Sequence, residues 1–141
     1  MKILLAVDGS PYTKRMLAYV AAHDEWLGAH HDYTIVTAIP AVTPRAAAVL
    51  EKDVLKAYYE EEGEKILKSV RTFFKRQLQA PVRFELKVGH PAEQIVALAQ
   101  RIKPDLILMG SHGHGSLGNL VMGSVATKVM AHTKVPVLLV R

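Results

Sequence analysis

Residues 106–124 read LILMGSHGHGSLGNLVMGS, and this stretch decides how the chain folds. The apolar run Leu106–Met109 has the length and composition of a buried strand, and Val125–Met130 reads as the opening of a helix. Between them, Gly110, Gly113 and Gly123 followed by the hydroxyl of Ser124 give the spacing G-x2-G-x9-G-S. A glycine-rich passage from strand to helix is phosphate geometry. Glycine tolerates positive φ and keeps a Cβ out of an anion's way, while the helix N-terminus offers unpaired N–H donors and a partial positive charge. Ser124 is placed to cap that helix or to bond a phosphate oxygen.

The same loop contains Gly113-His-Gly115-Ser-Leu-Gly118, a literal G-x-G-x-x-G. A dinucleotide fold needs that motif after its first strand, with an acidic residue ~20 positions further on for the ribose. Asp105 is the last acidic residue of the chain, so that partner is missing. Asn119 stands where a P-loop carries its lysine. The bland alternative is a glycine-rich connection with no ligand. Loops of this length are uncommon in compact domains unless they are functional, which favours the anion.

The chain has 141 residues, half of them hydrophobic and 22% charged, as expected of one globular domain. The apolar run Ile3–Val7 is too short for a secretory leader, and no stretch approaches the ~20 apolar residues of a membrane span. The absence of cysteine excludes disulfides and thiol chemistry and fits a cytoplasmic location. A net charge of +5 raises the question of nucleic acid. The basic residues are dispersed, aromatics make up only 6%, and no recognition motif is present, so a solvated basic surface is the better reading.

Outward from the glycine loop, apolar strands alternate with helical stretches, the pattern of an α/β layer with a parallel sheet. Lys2–Asp8 is the first strand. Ser10 offers a cap and Pro11 a first helical position for a helix with Met16, Leu17, Val20 and Ala21 on its apolar face. Tyr33–Ile39 is the second strand. Thr43 and Pro44 repeat the cap-and-proline start and predict one long helix to about Gln79, striped by Leu55, Tyr59, Ile66, Val70, Phe73 and Phe74. Gly63 interrupts that helix and marks close packing or a bend. Val82–Val88 alternates apolar and charged residues, as an edge strand does. A helix over Pro91–Arg101, a strand over Leu106–Met109, a helix over Ser124–His132 and a strand over Val135–Val140 complete five strands and four helices.

These segments resemble the universal stress protein family in its ATP-binding branch. The resemblance covers essentially the whole chain. It is carried by VDGS at Val7–Ser10, GHPAEQI at Gly89–Ile95, DLILMG at Asp105–Gly110, the glycine loop, and VPVLLV at Val135–Val140. It implies a doubly wound, Rossmann-like open parallel sheet of five strands in the order 3-2-1-4-5, with helices on both faces. Ligands of such sheets bind at the carboxyl ends of the strands where the order reverses, here between strands one and four. Asp8 and the glycine loop then face one crevice.

The resemblance also implies roles. Asp8 corresponds to the carboxylate that meets the ribose or base end of ATP, Ala38 to the residue whose backbone meets adenine, and Ala6 leaves room beside it. Met109 and Gly110 flank the ribose, and Gly113, Gly123, Ser124 and Val125 present N–H groups to phosphates. The rival reading of Asp8 is plain turn chemistry in DGSP. A divalent ion such as Mg2+ held between Asp8 and the phosphates is an open option.

Alternate positions on a glycine loop do not fix a tetrahedral metal site, so His112, His114 and the pair His30-His31 read as solvated, with a phosphate contact from His112 or His114 at most. No G-x-S-x-G elbow and no second carboxylate near Asp8 supports hydrolysis. The functional expectation is a homodimeric, nucleotide-responsive regulator or stress-survival factor with at most slow ATP hydrolysis. An adenine-nucleotide-dependent enzyme on the same fold and an interaction module that does not bind ATP are the alternatives. The dimer contact is expected along the apolar edge through Val135, Val137 and Leu139.

Overall fold

The computed structural model describes residues 1–114 and 121–141. The G-x-G-x-x-G match ending at Gly118, and Asn119 in place of a P-loop lysine, lie outside the described residues.

Strand β1 (Lys2–Ala6) leads into helix α1 (Pro11–Ala22), a short helix α2 (Asp24–Leu27) and strand β2 (Asp32–Ile39). Helices α3 (Pro44–Val49) and α4 (Lys52–Phe73) precede strand β3 (Val82–Val88), helix α5 (Pro91–Ile102) and strand β4 (Leu106–Gly110). Helix α6 (Ser124–His132) and strand β5 (Val137–Val140) end the chain. All pairings are parallel and the order is β3-β2-β1-β4-β5, as the resemblance implied. In register, Ala6 lies between Val36 and Met109. The chain grows to one side of β1 through β2 and β3, then crosses to grow the other way through β4 and β5. The connections leaving β1 and β4 therefore diverge, and a crevice opens between them.

The apolar runs around Leu4 and Ile107 are continuous because these central strands are covered on both faces. Leu5 and Leu108 turn toward α1 and α4, where they meet Met16, Val20, Leu67, Val70 and Phe74. Leu4, Ile107 and Met109 turn the other way, toward Ile95 and Leu98 of α5 and Ala126 and Val129 of α6. Each fully buried leucine contributes about 1.5–3 kcal/mol. Tyr33 anchors the first face: its hydroxyl donates to the carbonyls of Leu27 and Gly28, and its ring meets Phe74 edge-on at 5.1 Å. Burial, and secondarily the charge of Asp24, pushes that hydroxyl's pKa up to about 12.

Several sequence expectations are corrected. The long helix from Thr43 is broken: Leu50 (ψ 141) and Glu51 (ψ 148) are extended, so α3 and α4 are separate. The break lets α4 fold back until Tyr59 Oη accepts the N–H of Val42 at 3.0 Å. At its far end α4 widens into a single π-helical turn over Phe74–Leu78, closed by Gln79 in the left-handed region. Helix α2 was not anticipated. Thr43 does cap α3, accepting from Ala46 N. Ser10 occupies the cap position of α1, but its side chain makes no capping bond. Ala21 of α1 is exposed rather than part of the apolar face. β1 ends at Ala6, two residues short of Asp8, and β5 begins at Val137, so Val135 precedes it. Val135 N instead donates to Thr133 Oγ1. Gly63 is a close-packing glycine: a Cβ there would stand 2.6 Å from a Leu86 methyl on β3.

Candidate functional site

Where β1 ends, Gly9 takes φ 76 and turns the chain toward α1. A reciprocal set of hydrogen bonds fixes Asp8 at this turn. Its N–H donates to Thr13 Oγ1 at 3.1 Å, while its Oδ1 accepts from Ser10 N at 2.9 Å and from Thr13 Oγ1 at 3.0 Å. One carboxylate oxygen is thereby committed to the start of α1, and Oδ2 faces the glycine loop. The turn reading and the binding reading of Asp8 are thus compatible, because each uses a different oxygen.

Gly110, Gly113 and Gly123 are required for close approach rather than for φ. Among the described residues the glycines with positive φ are Gly9 and Gly89, not Gly110, Gly113 or Gly123. A Cβ on Gly113 would lie 2.6 Å from Asp8 Oδ2, and one on Gly110 would lie 2.6 Å from Tyr12 Cβ. At Gly123 it would lie 3.0 Å from His112 Cα and 3.1 Å from the Ser111 carbonyl. The Gly123 N–H donates to Ser111 O, folding the end of the loop back on its beginning. Gly123 is the cap residue of α6, and Ser124 is the first residue of the helix, with its side chain exposed, so the expected serine cap is corrected.

Of the loop histidines, His112 is corrected, while His114 is exposed as expected. His112 is 8% exposed, its Nδ1 is 2.8 Å from Ser111 Oγ, and its ring packs 5.0 Å from that of Tyr12. His114 Nε2 lies 2.7 Å from the Asp8 carbonyl oxygen, tying the loop to the end of β1. His31 is buried as well, between the N-terminal amine and the Trp26 carbonyl.

These groups enclose a crevice of about 760 Å3, within the size range of small-molecule sites. Ala6, Asp8, Ala38, Met109, Gly110, His112, Gly113, Gly123, Ser124 and Val125, the residues expected at a nucleotide, all line it. One end is apolar, walled by Val36, Ala38, Ile39, Pro40 and Ile95. At the other, the glycine loop and the first residues of α6 stand beside Asp8. Sequence reasoning missed a third wall: Tyr58, Glu62, Lys65 and Ile66 of α4 also face the crevice. Their i, i+4, i+7, i+8 spacing is a helical stripe, readable in principle. Glu62 and Lys65 within it look like an ordinary solvated ion pair, which hid it.

The architecture and crevice define a doubly wound α/β protein with a glycine-loop site at its topological switch point. The model of the universal stress protein family matches residues 1–141. The chain is 34% identical over 139 residues to a universal stress protein of Thermus aquaticus encoded in the QAH/OAS sulfhydrylase 3' region, covering 99% of this chain and 97% of the relative. Several other curated relatives match over about half of their own length. The solved structure of MJ0577, a universal stress protein of Methanocaldococcus jannaschii, superposes with a TM-score of 0.77 at 26% identity, covering 99% of this chain and 94% of that one. The universal stress protein of Archaeoglobus fulgidus in complex with dAMP shares the fold, with a TM-score of 0.68 at 21% identity and coverage of 100% and 98%. This chain belongs to the universal stress protein family.

Proposed function

We propose that this protein binds an adenine nucleotide, ATP by its loop, in the crevice between β1 and β4, and acts as a homodimeric, nucleotide-responsive stress-survival factor. The observation that carries the reading is the two-ended character of the crevice. Apolar walls around Ala38 suit a purine, while the glycine loop and the N-terminus of α6 offer main-chain N–H groups to phosphates. The dAMP complex of the Archaeoglobus relative supports an adenine ligand on this fold. In this reading Asp8 Oδ2, the oxygen not bonded to α1, accepts from a ribose hydroxyl. The same oxygen fits one position on a Mg2+ ion whose other ligands are phosphates and water, the way that ion is commonly held. Hydrolysis is at most slow. Asp8 is committed on one side to α1, and Glu62, the other carboxylate lining the crevice, pairs with Lys65 at 2.8 Å.

The dimer is proposed along β5, an edge strand of the sheet. Val137 and Leu139 are half-buried against the α5–α6 face, so their side chains serve the protomer's own core. The groups available to a partner are main-chain ones. Pro136 O and Val140 O accept from β4, which leaves the N–H and C=O of residues 137 and 139 on the open edge.

Isothermal titration of the protein with ATP, ADP, AMP and GTP tests the nucleotide reading. ATP is expected to bind at micromolar concentration and GTP at least about tenfold more weakly, since a site shaped for one purine edge leaves polar groups unpaired with the other. Absence of heat with every adenine nucleotide at millimolar concentration would instead favour an interaction module that takes no nucleotide.

A further inference from the structure

Lys65 is the only lysine or arginine among the described residues lining the crevice, where the other formal charges are the carboxylates of Asp8 and Glu62. Its Nζ lies 2.8 Å from Glu62 Oε1, three residues earlier on α4. Without Lys65 the lining side chains would present negative charge alone, and main-chain N–H groups would be all that opposes a polyphosphate.

The position of Lys65 along the crevice follows from its neighbours. At one end of the α4 stripe, Tyr59 receives the N–H of Val42, just beyond the end of β2, so Tyr58 stands at the apolar end. At the other end, Ile66 Cγ1 packs 3.3 Å from the point where a Gly9 Cβ would stand, and His114 Nε2 lies 3.8 Å from the same point. Lys65, adjacent to Ile66, therefore rides at the glycine-loop end. Its side chain is long and 62% exposed, so the contact with Glu62 lies open to solvent. A solvated pair of this kind contributes little by itself, so the ammonium is cheaply released to a more highly charged partner.

We propose that the Glu62–Lys65 pair reads the number of phosphates on the bound nucleotide: Lys65 leaves Glu62 for the terminal phosphates of a nucleoside di- or triphosphate, and Glu62 opposes them. A monophosphate, held by the glycine loop, is too short to draw Lys65 away. This inference rests on the nucleotide reading above and deepens it. It makes Lys65 and Glu62 specificity-determining residues with opposite signs, and the discrimination is salt-sensitive because the Lys65 ammonium is exposed and Glu62 only half-buried.

The test is titration of wild-type protein, Lys65→Met, Lys65→Arg and Glu62→Gln with adenosine, AMP and ATP at low and moderate salt. Lys65→Met is expected to weaken ATP on the order of tenfold, AMP by less than about twofold and adenosine not at all. Lys65→Arg should preserve the wild-type ATP-to-AMP ratio, and Glu62→Gln should raise it by about threefold. An ATP-to-AMP ratio unchanged in both Lys65→Met and Glu62→Gln, with wild-type protein binding ATP normally, overturns the inference and leaves the nucleotide reading standing. Equal losses for ATP, AMP and adenosine in Lys65→Met would overturn it too, because they would mark a structural role. Failure of wild-type protein to bind any of the three sinks the nucleotide reading itself.

Discussion

Two of the walls of the crevice are built on different principles. The glycine-loop wall is made of residues whose identity is fixed by collisions: Gly110, Gly113 and Gly123 each meet a neighbour at 3.0 Å or less from an imagined Cβ. On the α4 wall Ile66 packs against the core, but the two side chains proposed to tune binding are open to solvent, Tyr58 being 43% and the Lys65 side chain 62% exposed. Binding should therefore depend on the first wall for its existence and on the second for its preferences.

The largest effect should come from the collision-limited wall. Gly113→Val places a branched side chain onto Asp8 Oδ2, and ATP affinity is expected to fall about 100-fold or more, equivalent to roughly 3 kcal/mol, with the circular dichroism spectrum unchanged. Titration of the folded variant checks it, and wild-type affinity would remove the distinction between the walls. Asp8→Ala comes next. Loss of a charged acceptor should weaken ATP about tenfold and inorganic pyrophosphate hardly at all, since Oδ2 is proposed to meet the sugar. Equal losses for both ligands in a competition assay would shift Asp8 to a metal-bridging role. The variant should also melt lower, because Ser10 N and Thr13 Oγ1 lose their shared acceptor.

On the permissive wall, Tyr58→Ala is expected to weaken ATP and AMP alike by only about threefold, through lost contact near the apolar end. A loss as large as that of Gly113→Val would show that α4 is part of the essential site. The smallest effect on nucleotide affinity should come from outside both walls. Val137→Pro removes an outward N–H from β5 while sparing the β4–β5 ladder, so light scattering should report a monomer and ATP affinity should stay within about twofold. A variant that remains dimeric would place the dimer contact elsewhere.

The sequence made the collision-limited wall legible and the permissive wall nearly invisible, for a physical reason. Glycine at fixed spacing after a buried strand is a signal because few other residues can replace it. Even so, the reason is close approach in place of the positive φ expected from the sequence. The strand cores were legible because runs such as Ile3–Val7 and Leu106–Met109 are apolar on both faces, whereas the strand order followed from the resemblance to the family. The break at Leu50 was not: residues 46–51 carry no proline or glycine, and the break goes with a tertiary contact, Tyr59 with Val42, that no local signal announces. The left-handed Gln79 and Lys103 likewise lack the glycine that marks such ends. The burial of His112 was hidden because a histidine's exposure depends on a tertiary partner, here Tyr12 of α1.

The most direct test of the account is an amide-resolved NMR titration of the protein with ATP, inorganic triphosphate and adenosine. The N–H signals of Gly113, Ser124 and Val125 should move with ATP and triphosphate, and that of Ala38 with ATP and adenosine. Shifts confined to residues outside the crevice, or the same residues responding to all three ligands, would contradict a site that holds phosphate at the glycine loop and purine at the end of β2.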